Sequence, residues 1–303
     1  ASRAPAVNRG YDRRKVEDAR NFCNKLWNIA RYIEDKIGDH PRRSKKPVPQ
    51  TEADHWMLSK LQQCANGIAA DLDDYRFAEA YDRLYHFVWD DFADWYIEAS
   101  KAQPNNELLA FALESTLKIA HPFAPFVTET IWQTLAWEQD AILAASNWPN
   151  VQSAGHKQAE SFEAVKGIIT ETRAILKALG LQTAAMHFTS APVLAENAGL
   201  IKRLARLSEV TEAQSGEGLF LTQTPYGCWL DIDRKTAQAY LARLAEQQAR
   251  EAQVIKQLEG RLANKRYTEH APTHVVDETR SQLGAAKVQL ASIQQESEKF
   301  KAL

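Results

Sequence analysis

The chain has 303 residues, 45% of them hydrophobic and 25% charged, with a formal net charge of −2. These proportions are ordinary for a soluble globular protein with room for two or three domains. No apolar run approaches the length of a bilayer span, no signal-peptide pattern opens the chain, and Cys23, Cys64 and Cys228 are scattered without C-x-x-C spacing; a membrane segment, a disulfide framework and a cysteine zinc site are all set aside, and a reducing cytoplasm is expected.

In chain order, residues 1–14 read as a flexible lead-in. A helix is predicted over 16–37 from Phe22, Leu26, Ile29, Ile33 and Ile37 at helical spacing. A polar basic loop, 38–47, follows, and Thr51 is placed to cap a second helix reaching about residue 72, with Asp54 three residues on. Further helices are expected over 76–102, 106–121 and 126–135, which together make a helical bundle. Beyond 151 the pattern changes. Helices at 161–179 and 193–205 alternate with strand-like 185–189, 210–214, 219–223 and 228–232, and the glycines at 216 and 218 and the Pro225-Tyr226-Gly227 turn fit hairpins.

From 235 the sequence writes two heptad runs. Leu241, Leu244, Gln248, Glu251, Ile255, Leu258 and Leu262 fall at alternating steps of three and four, and so do Val276, Thr279, Leu283, Ala286, Leu290, Ile293, Ser297 and Phe300. Asn264 is a helix stop and Pro272 a helix start, so a short connector folds the runs back as an antiparallel coiled-coil hairpin, its first helix on the order of 40 Å long. Gln248 and Glu251 on the seam either set register or mark a local break. The fold class expected is mainly α. Its domains are a bundle over 1–150, a small α/β domain over 151–233 and a coiled-coil arm over 234–303.

Charge is distributed unevenly along these segments. Residues 1–50 carry a surplus of +7, residues 51–150 carry −11, residues 151–233 carry −2 and the arm carries +4. Two separated basic zones are the footprint expected for contact with one long polyanion.

Within the first helix, Arg20, Asn24, Asn28 and Arg31 recur at steps of three or four along one flank, with Lys25 and Trp27 among them. Asparagine combines a donor with an acceptor and can read base edges; arginine and lysine grip phosphates or stack on bases, and tryptophan offers a stacking face. The same spacing also suits the wet side of an ordinary bundle helix. A carboxylate stripe at Asp90, Asp94 and Glu98 lacks the Glu-x-x-His pairs of a di-metal bundle and is expected to cap, to pair with Arg or Lys, or to face water. Pro272 between His270 and His274 argues against a shared zinc-binding face. No nucleophile elbow, P-loop or dinucleotide fingerprint is present, so no catalytic residue and no metal ligand is assigned.

The run Asn21-Phe22-Cys23-Asn24-Lys25-Leu26-Trp27-Asn28 resembles the opening helix of the anticodon-binding bundle in class I aminoacyl-tRNA synthetases of the valine, isoleucine and leucine group, and most of all the valyl-tRNA synthetases. Phe87-Val88-Trp89-Asp90-Asp91-Phe92-Ala93-Asp94-Trp95-Tyr96 and His121-Pro122-Phe123-Ala124-Pro125-Phe126 are similar to two further signatures of that family. The connector Leu262-Ala263-Asn264, Tyr267, Ala271-Pro272-Thr273-His274-Val275-Val276 and Arg280 resembles its C-terminal arm, with Arg261 and Ala263 where Lys and Ser are usual and Tyr267 in place of Phe. The resemblance implies valine tRNA as partner, with the anticodon loop held by Arg20, Asn24, Lys25, Trp27, Asn28 and Arg31. Arg250, Arg261, Lys265 and Arg266 would meet the backbone at the outer corner of the RNA. The family's two ATP-handling signatures are not found, so ATP and magnesium are expected of the parent enzyme and no cofactor of this chain. Its other implied partners are the catalytic and editing domains of a monomeric, cytoplasmic parent. A protein-interaction module and the corresponding part of an isoleucyl or leucyl enzyme remain the alternatives.

Overall fold

A computed structural model describes residues 12–38, 46–137, 141–152, 155–214, 218–264, 267 and 273–301. The lead-in before residue 12, most of the basic loop, Lys265, Arg266, His270 and Pro272 lie outside the described residues. The chain divides into two compact units, Ala1–Ala164 and Val165–Leu303.

The first unit is a helical bundle. Helix α1 (Arg13–Ile37) starts at Asp12, whose carboxylate accepts the Arg14 N–H, and buries Phe22, Leu26, Ile29, Ala30 and Ile33. Helix α2 (Glu52–Asp73) is capped by Thr51, whose hydroxyl accepts the Asp54 N–H at 3.1 Å, as its sequence predicts. Asp54 is itself buried and accepts the Tyr96 hydroxyl at 2.8 Å, Asn105 Nδ2 at 2.8 Å and the Gln50 N–H at 2.9 Å, tying three segments to one carboxylate. At the other end of α2 the chain reverses through Tyr75, at φ 59°. There Asp71 accepts Arg76 at 2.9 Å and Arg83 at 3.1 Å, which locks the turn.

The helix predicted over 76–102 is one helical path of three characters. Helix α3 (Phe77–His86) passes into a π-helical stretch, Phe87–Tyr96, and ends as α4 (Ile97–Ser100). Helices α5 (Asn106–Ala120) and α6 (Pro125–Leu135) complete the bundle, whose core is formed by Phe22, Leu26, Trp56, Met57, Leu61, Leu84, Phe92, Leu113 and Leu117. Helix α7 (His156–Leu179) carries the chain into the second unit.

The second unit holds a four-stranded sheet of order β2-β1-β4-β3, with β1 at Ala185–Phe188, β2 at Glu209–Glu212, β3 at Leu219–Phe220 and β4 at Cys228–Asp231. The Pro225-Tyr226-Gly227 hairpin joins β3 to β4 as expected, and Glu171 of α7 secures its loop by accepting the N–H groups of Thr222 and Gln223 and the Thr222 hydroxyl. Gly216 lies outside the described residues, and β2 and β3 do not pair with each other as the hairpin expected around glycines 216 and 218 requires. Instead β2 pairs in parallel with β1 across a helical crossover and lies at the opposite edge from β3. That crossover is two helices, α8 (Pro192–Glu196) and α9 (Ala198–Ala205), because Asn197 leaves helical geometry at φ −101°, ψ 7° where one helix was expected.

Helix α10 (Arg234–Ala263) and helix α11 (Thr273–Lys301) form the arm. Tyr240 packs edge-on against Phe300 with ring centroids 4.8 Å apart, Lys287 pairs with Glu259 at 2.7 Å, and the Tyr267 and Thr279 hydroxyls meet at 2.8 Å. Low positions on one helix thus meet high positions on the other, which makes the hairpin antiparallel. Every predicted seam residue of both runs is buried or half-buried, Gln248 and Glu251 included, and α10 leaves helical geometry at Asn264. The first arm helix is about 45 Å long at 1.5 Å per residue over its 30 residues.

Candidate nucleic-acid interface

At about 100° per residue, Arg20, Asn24, Asn28 and Arg31 fall within an arc of about 80° on α1, turned away from the buried Phe22-Leu26-Ile29-Ile33 side. All four are exposed, and among the described residues none has a hydrogen-bonding or ionic partner. A surface stripe of two asparagines and two arginines thus leaves its donors and acceptors open to solvent.

The two flanks of this stripe are built differently. On one side Trp27 is half-buried, and with Ala30, Arg31 and Glu34 it lines a narrow cleft against Ile131, Thr134 and Leu135 of α6. On the other side Lys25 is committed within the bundle. Its ammonium donates to Asp94 Oδ1 at 2.9 Å and stands 4.7 Å from the Trp89 ring centroid. Of the six positions singled out on this helix, four present polar groups to solvent, Trp27 presents part of its ring, and Lys25 serves as an internal contact. Its partner lies 69 residues away, so no local spacing could have revealed it.

The carboxylate stripe resolves into two lysine ion pairs and one histidine hydrogen bond. Asp90 meets His86 at 2.8 Å, Asp94 meets Lys25, and Glu98 meets Lys101. No group of three or more His, Cys, Asp or Glu among the described residues is arranged to hold a metal. Burial pushes the Cys23 thiol up, and those of Cys64 and Cys228 up to about 12, so none offers a thiolate at neutral pH. No helix among the described residues is long and apolar enough to cross a membrane.

On the arm, Arg261 is exposed in the last turn of α10, and Arg250 is exposed with Glu246 at 3.7 Å one turn before it. Lys265 and Arg266, predicted to join them, are outside the described residues.

Comparison with known proteins gives this arrangement its class. Residues 54–187 match the family model of the anticodon-binding domain of tRNA ligase, and residues 237–301 match that of the valyl tRNA synthetase tRNA binding arm. An anticodon-binding bundle followed by such an arm defines a part of an aminoacyl-tRNA ligase. Valine–tRNA ligase of Streptomyces avermitilis is 34% identical over 92% of this chain, that of Listeria innocua 30% identical over 91%, and that of Coxiella burnetii 28% identical over the whole chain. The chain belongs to the valyl-tRNA synthetase family. It spans about a third of the length of these relatives, covering 33%, 34% and 36% of them.

Proposed function

We propose that this chain binds valine tRNA, the bundle taking the anticodon loop against α1 and the arm meeting the outer corner of the RNA. The observation that carries this reading is the partner-free stripe Arg20, Asn24, Asn28 and Arg31 on the opening helix of the bundle. An unpaired loop splays its bases, so asparagine amides can reach their edges while arginines stack or hold the backbone. Arg250 and Arg261, with Lys265 and Arg266 beyond them, supply backbone contacts, which fix position without reading sequence.

The parent activity is ATP-dependent, magnesium-requiring ligation of valine to tRNA. In this reading the nucleotide chemistry belongs to catalytic and editing portions of a monomeric, cytoplasmic parent, and this chain does not aminoacylate by itself. The test is binding of valine tRNA and an anticodon-swapped control at two salt concentrations. Affinity that falls with salt and is weaker for the swapped RNA supports anticodon reading. Equal affinity for both RNAs confines the chain to a nonspecific grip, and no binding at low salt overturns RNA recognition in favour of a protein-interaction module.

A further inference from the structure

We infer that Lys25 is a positioning residue for anticodon reading: clamped between Trp89 and Asp94, it fixes the rotation of α1 and so aims Asn24 and Asn28. The inference rests on the reading of α1 as the RNA-reading helix.

The π-helical stretch is what makes the clamp possible. Trp89 and Asp94 are five residues apart, which on an α-helix would turn them about 140° away from each other. On an i→i+5 ladder the residue five along returns over the first, and such stretches occur often at functional sites. Indole and carboxylate thereby reach one ammonium. The Trp89 ring stacks on Tyr85 with centroids 5.5 Å apart and an interplanar angle of 13°, and Tyr85 stacks on Phe22 at 5.9 Å and 25°. Phe22 is three residues before Lys25 on α1, so the contacts close a ring from α1 through Tyr85 and Trp89 back to α1.

The buried apolar side of α1 seats the helix on the core, and this ring adds directional contacts at the flank beside the stripe. A charge-assisted hydrogen bond and a cation over a ring are directional. Asn24 is next to Lys25 and Asn28 is three residues on, so a small rotation of α1 moves both amides together. The Lys25 and Asp94 side chains are 24% and 54% exposed, and ion pairs so placed add little to stability, which leaves orientation as the effect to measure.

The experiment uses the full chain with Lys25→Met, Lys25→Arg and Asp94→Asn. Dissociation constants for valine tRNA and the anticodon-swapped tRNA are measured across a salt series, with thermal melts alongside. Lys25→Met and Asp94→Asn should each lower the ratio between the two RNAs by about five- to tenfold, the scale of one weakened base contact. The salt slope and melting temperature should stay near wild type, and Lys25→Arg should keep most of the ratio. Asp94→Asn is the sharper arm, because removing a negative charge would otherwise tighten binding to RNA. A direct phosphate contact by Lys25 predicts instead a slope shallower by about 0.7 with the ratio intact, and that result overturns the inference. Tighter binding of both RNAs by Asp94→Asn overturns it too. A wild-type chain with no preference between the RNAs removes the reading of α1, and the inference with it, whereas a discriminating wild type with equally discriminating variants removes the inference alone.

Discussion

Asn28 and Arg31 are exposed on the same stripe of α1, yet losing one or the other has different consequences. An amide that pairs with a base edge is satisfied only by the right base, so Asn28→Ala should weaken valine tRNA by about 1–3 kcal/mol and leave the anticodon-swapped RNA nearly unchanged. Arg31→Gln should weaken both RNAs and flatten the salt slope by about 0.7, because a guanidinium on the backbone releases counterions whatever the sequence. Filter-binding titrations of the two variants on both RNAs separate these roles. Asp71 presents a stability question at the same scale. Burial alone would raise its pKa, but hydrogen bonds from Arg76 and Arg83 outweigh that and hold the carboxyl below its ordinary 3.8. A carboxyl depressed on folding stabilises above its unfolded pKa and loses that contribution as pH falls through the folded value. Asp71→Asn should therefore cost about 1–3 kcal/mol at neutral pH, and its deficit against wild type should shrink below about pH 3.8. Urea midpoints at pH 7 and pH 3 test this, and an equal deficit at both would sink the account.

At the scale of elements, legibility followed locality. The arm seam was readable in full because each heptad position needs only its own helix and one neighbour, and all fifteen predicted seam residues avoid full exposure. The Thr51 cap was readable for the same reason. The π-helical stretch was not, since Phe87–Tyr96 has the composition of an ordinary buried helix and its widening is evident only where Trp89 and Asp94 meet a side chain of α1. Nor was the place of β2 in the sheet, which depends on a crossover. Gly218, read as a turn signal, sits at φ +113° where a Cβ would come 2.2 Å from the Leu230 carbonyl oxygen, so it serves close strand packing. The arm supplies the prediction at this scale. Leu258 is buried on the seam, and Leu258→Ala should cost the hairpin about 2–3 kcal/mol, seen as faster amide exchange along α10 and α11 with exchange in the bundle unchanged. Uniform acceleration in both units would mean that arm and bundle unfold together.

For the whole molecule, a net charge of −2 hides basic ends around an acidic middle, so any grip on RNA has to be local. The sequence showed this division before any geometry did, although it could not show which cations are spent internally, as Lys25 is on Asp94. Asn28 lies in the first unit and Arg261 in the second, and neither has a partner among the described residues. If bundle and arm engage one RNA, each lends the other a high effective concentration, and losing either weakens the common complex. Arg261→Gln alone should then weaken valine tRNA and swapped tRNA by the same factor, leaving the ratio between them intact. Distant sites without shared contacts add, so Asn28→Ala with Arg261→Gln should cost the sum of the single losses within about 0.5 kcal/mol. If the arm held a different RNA molecule, or none, the tight dissociation constant of the double variant would equal that of Asn28→Ala by itself. That comparison, on one chain with one RNA, decides whether two basic zones make one binding site.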